Sequence, residues 1–123
     1  MTHEVFFRYE QALRCDWEEY TESYHVEVVL TEFLVTRATY HGVWIRRKDG
    51  ARINGKPEKF VLLNTGYGNS QRSTHKRYAH PNQKDALISF LARKRRQRFI
   101  LKSQLKNVKI AMVIAKGMEK DHA

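Results

Sequence analysis

Cysteine is nearly absent from this sequence: Cys15 is the single one among 123 residues. One thiol cannot close a disulfide within the chain, which excludes a disulfide-stapled scaffold and is compatible with a reducing cytoplasm. Long apolar runs are also missing, since no stretch approaches the roughly 20 residues that a membrane span needs. The first residues lack the basic and then apolar plan of a secretion signal. We therefore expect a cytoplasmic protein that makes no membrane contact.

Proline and glycine are scarce, with two and six residues, and neither occurs between Ala86 and Ala115. Apolar side chains in this stretch recur at spacings of three and four, which predicts a helix with one apolar face. They are Leu87, Leu91, Leu101, Leu105, Val108 and Met112. Asn82 is the predicted N-cap, and the negative charge of Asp85 interacts favourably with the helix dipole in the first turn. The helix is predicted to end at Gly117. The helical part should therefore cover about 82–116.

One helix of about 30 residues would be about 45 Å long, longer than the body of a domain of this size. It would have to project, pair with another copy, or break in two. Lys94 and Arg98 interrupt the apolar face, so a turn between Phe99 and Asn107 and a dimeric coil are both open. We expect a helical pair, or a homodimer contact through the C-terminal helix.

Acidic residues are scarce after residue 36, where five acids stand against 21 bases, a net charge of +16. Residues 1–36 hold eight acids and two bases, a net charge of −6. The chain is therefore electrically lopsided. Its total of +10 would attract nucleic acid, nucleotides, anionic lipid or an acidic protein surface.

Between residues 4 and 80 the sequence favours strands and tight turns. We predict a short strand over 4–10, a loop or helical turn over 11–23, and one long or bent strand over 24–40.

Further strands are predicted at 43–45 and 59–63, with turns at Asp49-Gly50 and Asn54-Gly55. A last short edge strand is predicted over 75–80. The expected fold class is α+β: an antiparallel β meander of four to six strands (about 4–80), followed by one long or two shorter C-terminal α-helices. A chain of this length should form a single domain over 1–123.

No residue pattern points to catalysis, a metal or a cofactor. The six histidines lack the close spacing of zinc ligands, and a lone cysteine offers no thiolate pair. Nucleophilic catalysis by Cys15 would need a histidine and an orienting group, which no motif supplies. The acids of the N-terminal third form no recognisable catalytic pair. We predict that the protein is not an enzyme.

The sharpest feature is the run Arg93–Arg98, which holds five bases in six residues of the predicted helix. Guanidinium groups bind phosphate oxygens bidentately, so phosphate contact is the functional interpretation. A solvated helix whose aliphatic stems lie on the sheet is the structural one.

Other bases stand near the ends of the predicted strands, with aromatic residues between them that could stack on nucleobases. The candidate anion-binding residues are Arg46, Arg47, Lys76, Arg77, Arg93, Arg95, Arg96 and Arg98, and the candidate stacking residues are Tyr67, Tyr78 and Trp44. Strand aromatics such as Trp44 are more often part of a core. Tyr67 lies in a polar loop and is the better candidate for an exposed ring.

Two backbone features could also bind an anion. The loop 66–70 could wrap a phosphate, but it matches neither a Walker loop nor the dinucleotide fingerprint. A helix that begins near Asn82, preceded by Lys76, Arg77 and His80, would point free N–H groups at an anion.

The segment 76–97 reads KRYAHP, then DAL, SF and ARKRRQ, and it resembles a pattern in small uncharacterised proteins of tailed phages and prophages. Similar proteins often place threonine where Asn82 stands, which keeps the N-cap role. The resemblance covers about the last third of the chain and implies the cytoplasm of an infected bacterium, with no particular activity. The layout of a sheet, C-terminal helices and arginines near their junction also looks like that of phage proteins that sequester cyclic-nucleotide immune signals.

Three functional hypotheses follow. The first is a phage counter-defence or host-takeover protein that sequesters a nucleotide signal or inhibits a nucleic-acid-handling bacterial defence protein. The second is a DNA- or RNA-binding accessory protein that uses phosphate contacts. The third is an oligomeric structural or assembly protein.

Overall fold

The computed structural model describes residues 4–18, 21–63 and 77–122. Here the chain forms a four-stranded antiparallel sheet followed by one long C-terminal helix. The elements are β1 (Val5–Glu18), β2 (Thr21–Ala38), β3 (Gly42–Arg47), β4 (Lys59–Leu62) and α1 (Gln83–Asp121). The strand order is β1-β2-β3-β4, so each strand pairs with its neighbour in the chain. The predicted α+β class and meander are confirmed.

The first two strands form a hairpin that is longer than the rest of the sheet. They pair in register from Val5↔Leu34 to Glu18↔Thr21, whereas β3 pairs only with the part of β2 from Phe33 to Ala38. The predicted loop or helical turn is therefore wrong over 11–18 and 21–23, and the prediction for 19 and 20 lies outside the described residues. Its polar and acidic residues have weak strand propensity, but the valine-rich β2 offers them a partner edge, and cross-strand pairing decides the outcome.

The predicted long or bent strand over 24–40 is confirmed as β2, and its pairing with β3 shifts register between Val35 and Arg37. An extra residue at such a shift locally bends a strand. Both predicted tight turns are also confirmed, because positive φ angles occur at Gly50 (80°), Asn54 (49°) and Gly55 (81°). Asn-Gly and Asp-Gly pairs suit turns that need this backbone region.

The predicted edge strand over 75–80 does not form in the residues described: 77–79 lie outside any strand. His80 makes an isolated bridge to Phe7, with N–H···O distances of 2.7 and 2.9 Å in the two directions. The chain thus touches the free edge of β1 at one point before the helix begins. The prediction for 75 and 76 lies outside the described residues.

One face of the sheet carries the core. Phe6 pairs with Phe33, and Val43 pairs with Val61. These four side chains are buried and pack with Ile45, Ile53 and Ala79. Directly paired residues point to the same face of a sheet, so this is the inner face.

The helix starts as the sequence indicates. The Asn82 side-chain oxygen accepts a 2.8 Å hydrogen bond from the backbone N–H of Asp85, and the Asn82 amide donates to the Asp85 carboxylate at 2.9 Å. This is an N-cap, which satisfies one of the free N–H groups at the start of a helix.

Replacing Asn82 with alanine should lower the free energy of unfolding by about 1 kcal/mol, because the Asp85 N–H loses its acceptor. Urea denaturation of the wild type and the variant measures this. Asn82→Ser, which keeps a capping oxygen, is the control and should stay close to the wild type. Equal losses in both variants would contradict the capping role.

The end of the helix differs from the prediction. α1 continues past Gly117 to Asp121, so the predicted stop at Gly117 is wrong, and no turn occurs between Phe99 and Asn107. A single glycine costs a helix only about 1 kcal/mol, and no proline follows to end it. Of the two predicted alternatives, the single long helix is the one that forms. Its 39 residues give a length of about 58 Å.

By its internal contacts the chain divides into two compact units, Met1–Phe90 and Leu91–Ala123, with the boundary inside α1. In the first unit, the start of the helix buries Ala86, Ser89 and Phe90. In the second unit, every described residue after Lys94 is exposed. The single domain over 1–123 stays a prediction.

Candidate functional site

Tyr78, a predicted stacking residue, is engaged within the fold. Its ring packs edge-on against Phe33, with the centroids 5.7 Å apart. The Arg8 guanidinium lies 4.1 Å and the Lys59 ammonium 4.8 Å from the ring centroid, distances at which a cation is attracted to an aromatic face. Arg8 also donates to the Tyr78 carbonyl at 2.7 Å. These contacts leave Tyr78 poorly placed to stack on a ligand.

Arg47 lies at the end of β3 and is paired with an acid. It donates to both carboxylate oxygens of Asp49, at 3.1 and 2.8 Å. These hydrogen bonds raise the pKa of Arg47 and lower the pKa of Asp49. The Asp49 charge compensates much of the guanidinium charge, so Arg47 offers little to a phosphate. Arg46, its neighbour on the other face, is exposed.

Arg77, which lies shortly before the helix, makes a hydrogen bond to the residue that follows β4. Its guanidinium donates to the Leu63 carbonyl at 2.7 Å. Lys76, Tyr67 and the candidate phosphate-binding loop 66–70 lie outside the described residues. The anion site predicted at the start of α1 is partly occupied by the Asn82 cap, and His80 is buried.

Trp44 is half-buried and does not belong to the core cluster. Its ring lies 5.4 Å from that of Phe60 on the neighbouring strand, and the Arg37 guanidinium lies 5.1 Å from its centroid. Since side chains alternate along β3, Trp44 and the exposed Arg46 share the face opposite the core. The outer face of the sheet thus carries two neighbouring aromatic rings, with Arg37 near one of them and Arg46 on the same face.

Among the residues that the structure describes, the sheet unit has two pockets near the candidate residues. One, of about 370 Å³, is lined by Trp44, Phe60, Lys56, Glu58 and neighbouring residues. The other, of about 410 Å³, lies where β2 continues past the end of β3 and includes Arg47 and Lys48. In the second pocket both bases are paired, Arg47 with Asp49 and Lys48 with Glu32 at 3.2 Å. Neither pocket gathers several free arginines around an exposed ring.

The long hairpin carries the opposite charge. Residues 9–31 hold six acids and one base, Arg14. Arg14 and His25 both pair with Glu27, at 3.2 and 2.8 Å, and these hydrogen bonds lower the pKa of that carboxyl group. A segment of this net charge repels phosphate.

The run Arg93–Arg98 divides between two sides of α1. Arg93 and Lys94 are half-buried and interact within the chain, and Lys94 donates to Gln97 at 3.0 Å. Arg95, Arg96 and Arg98 are exposed. At 100° per residue, Arg95 and Arg98 lie on one side of the helix, while Arg93 and Arg96 point away from it.

Lysines farther along the helix extend the side that carries Arg95 and Arg98. Successive members follow at spacings of three, four or seven residues, which places all of them within about a third of the circumference. We call this set the basic stripe: Arg95, Arg98, Lys102, Lys106, Lys109, Lys116 and Lys120. It runs for about 38 Å along the helix axis.

The charges of the basic stripe are not compensated within the described parts of the chain. Every member is exposed, and the ion pairs found there involve other bases. Residues 91–123 hold ten bases and two acids. An uncompensated row of cations on an exposed helix attracts a polyanion.

The sequence prediction covers only the dense run Arg93–Arg98 of this helix. The remaining lysines of the stripe share its helical spacing, which is a signal present in the sequence: Lys102, Lys106, Lys109, Lys116 and Lys120. By contrast, no local pattern indicates that Arg37 and Phe60 contact Trp44, because these partners meet through strand pairing. Nor does a local pattern indicate that Arg8 and Lys59 contact Tyr78, because these residues meet only where the segment before α1 returns to the sheet.

Other kinds of site find no support in the residues that the structure covers. Over those ranges, no three side chains of metal-binding type come together. Cys15 is a free, exposed thiol in β1. Among the helical residues described, none belongs to a stretch with both the length and the hydropathy needed to cross a bilayer.

The chain has no significant match to a family model, to a curated protein or to a solved structure. The resemblance to phage proteins over 76–97 therefore stays a prediction.

Proposed function

We propose that this protein is a non-enzymatic nucleic-acid-binding protein whose main contact is between the basic stripe of α1 and a phosphate backbone. The uncompensated row of seven exposed bases along one side of the helix is the observation that carries the proposal. Phosphates recur regularly along a nucleic-acid strand, and an extended row of cations meets several of them at once.

The form of the stripe favours a polymer over a single nucleotide. A nucleotide needs a compact pocket in which several cations converge on one phosphate group beside an aromatic ring. The stripe instead spreads its charges over about 38 Å. Sequestration of a nucleotide signal, and with it a counter-defence role in an infected bacterium, stays a hypothesis that rests on the sequence resemblance and layout.

The outer face of the sheet supports the same class of ligand. Trp44 and Phe60 lie together there, and the Arg37 guanidinium lies near the Trp44 ring. Arg46 is exposed on the same face, two residues along β3 from Trp44. Base–aromatic stacking combined with nearby cations is the usual means of binding single strands without sequence preference. We therefore expect single-stranded nucleic acid to bind at least as tightly as duplex.

Fluorescence anisotropy with labelled single-stranded and duplex oligonucleotides tests the proposal. Binding should weaken steeply with salt, because log K falls linearly with log[salt]. Each phosphate contact makes this negative slope steeper by about 0.7 for a single strand or about 0.9 for a duplex. In the stripe variant R95Q/K102Q/K106Q/K109Q, four contacts are removed. Its slope should flatten by about three, and its affinity near 0.1 M salt should fall by about 100-fold or more.

A control variant removes four cations elsewhere: R14Q/K48Q/R52Q/K84Q. Both variants change the net charge equally, and glutamine has a helix propensity close to that of arginine and lysine. The control should keep most of the salt slope. Equal weakening of binding in the two variants would show that affinity depends on the overall charge and not on the basic stripe. Absence of oligonucleotide binding by the wild type at low salt would overturn the proposed function.

A further inference from the structure

The C-terminal half of α1 exposes an apolar face beside the basic stripe. Leu101, Leu105, Val108 and Met112 keep 54–55% of their surface exposed, and Ala115 follows them at the next position of the series. We call these five residues the apolar seam. Their spacings of four, three, four and three are those of the a and d positions of a heptad repeat.

From the seam we infer that α1 pairs in parallel with α1 of a second copy of this chain. Facing seams would remove five apolar side chains per copy from water, which a lone exposed helix cannot do. The inference goes beyond the proposed function and does not depend on it, since pairing requires no nucleic acid.

The charges that flank the seam favour a parallel over an antiparallel arrangement of the two copies. With Leu105 and Met112 at a positions, every e position from residue 95 onward is basic: Arg95, Lys102, Lys109 and Lys116. The g positions carry no charge: Gln97, Gln104, Ala111 and Met118. Parallel helices place e opposite g, whereas antiparallel helices place e opposite e. The parallel pair therefore sets these bases against uncharged residues, whereas the antiparallel pair would bring the basic e positions of the two copies together.

Arg98 sets a limit on this pair. It occupies an a position one heptad before Leu105. In a parallel pair it therefore lies opposite Arg98 of the second copy. Two guanidinium groups in contact repel, and the apolar seam itself spans little more than two heptads. We therefore expect pairing that depends strongly on protein concentration.

Analytical ultracentrifugation of the full chain tests the pairing. The wild type should shift from monomer to dimer as its concentration rises from about 1 to about 500 µM, as mass action requires. L105D, which puts a charge in the seam, should raise the dissociation constant by at least about 100-fold. V113D is the matched control, because Val113 is equally apolar and 71% exposed but lies outside the seam; it should still dimerise.

Two further variants keep the inference testable if aspartate perturbs the helix. R98L should tighten the dimer by about 10-fold or more, because it replaces like charges in the seam with apolar contact. In a C15S background, A115C should form a symmetric disulfide on mild oxidation, since residue 115 meets its own copy only in a parallel pair.

A wild type that stays monomeric at high concentration would overturn the inference. Equal disruption by L105D and V113D would refute the assigned seam, and failure of A115C to cross-link would refute the parallel orientation. These measurements contain no oligonucleotide, so their failure is separate from a failure of the proposed function.

Discussion

Replacing Phe33 with alanine is expected to lower the free energy of unfolding by about 3–5 kcal/mol. Phe33 is fully buried, pairs with Phe6 across β1 and β2, and packs against the edge of Tyr78. Truncation leaves a cavity at the centre of the core and removes the aromatic support on which Tyr78 rests. Since a protein of this size has a total stability of about 5–15 kcal/mol, the variant should be near the limit of folding. Urea denaturation followed by circular dichroism measures the loss.

The matched control for this prediction is Phe99→Ala. Phe99 is 72% exposed on α1, and alanine is a better helix former than phenylalanine. Its free energy of unfolding should change by no more than about 0.5 kcal/mol. A small effect of Phe33→Ala, comparable to that of the control, would contradict the assignment of the core to the inner face of the sheet.

The second large effect is expected at Gly42, the first residue of β3. A Cβ atom built there would overlap the backbone carbonyl oxygen of Val61 and lie 2.9 Å from the Phe60 ring. The carbonyl cannot yield without separating β3 from β4, which pair at Gly42↔Leu62. Gly42→Ala should therefore destabilise the protein by about 1–3 kcal/mol or more, as measured by thermal and chemical denaturation.

Gly117→Ala is the control with the opposite sign. Gly117 lies inside α1, and a Cβ atom there would meet nothing within 4 Å. Alanine should stabilise the helix by about 0.5–1 kcal/mol. If both substitutions act in the same direction, steric overlap at Gly42 is not the cause of its effect. If Gly42→Ala is neutral, the close approach of β4 to Gly42 is absent in solution.

The candidate interface shows where local sequence information is sufficient. The members of the basic stripe are neighbours because of the helix period alone. The apolar seam follows from the same period, and the sequence also indicates that Lys94 and Arg98 interrupt the apolar face. Once α1 is known to be continuous, the positions of these residues follow without reference to any other element.

The surroundings of Trp44, Tyr78 and Arg47 show where local sequence information is not sufficient. These residues were singled out as one group of basic and aromatic candidates, yet the structure separates them. Trp44 lies on the outer face with Phe60, Tyr78 is held by Arg8 and Lys59, and Arg47 is paired with Asp49. The Trp44 environment depends on the register of β2, β3 and β4, and the Tyr78 environment depends on the return of the segment before α1 to the sheet. Neither leaves a local signal in the sequence.

What could be derived from the sequence alone is local in origin: the tight turns at Asp49-Gly50 and Asn54-Gly55, the Asn82 cap, the helical period of α1 and the meander of strands between them. Each depends on backbone preferences or side-chain spacing within a few residues. Two outcomes depended on three-dimensional pairing and on cooperativity. The segment 11–18 became a strand because β2 supplied a complementary edge, despite its weak propensity. The helix passed Gly117 because the cost of one glycine is small beside the hydrogen bonds of a continuing helix.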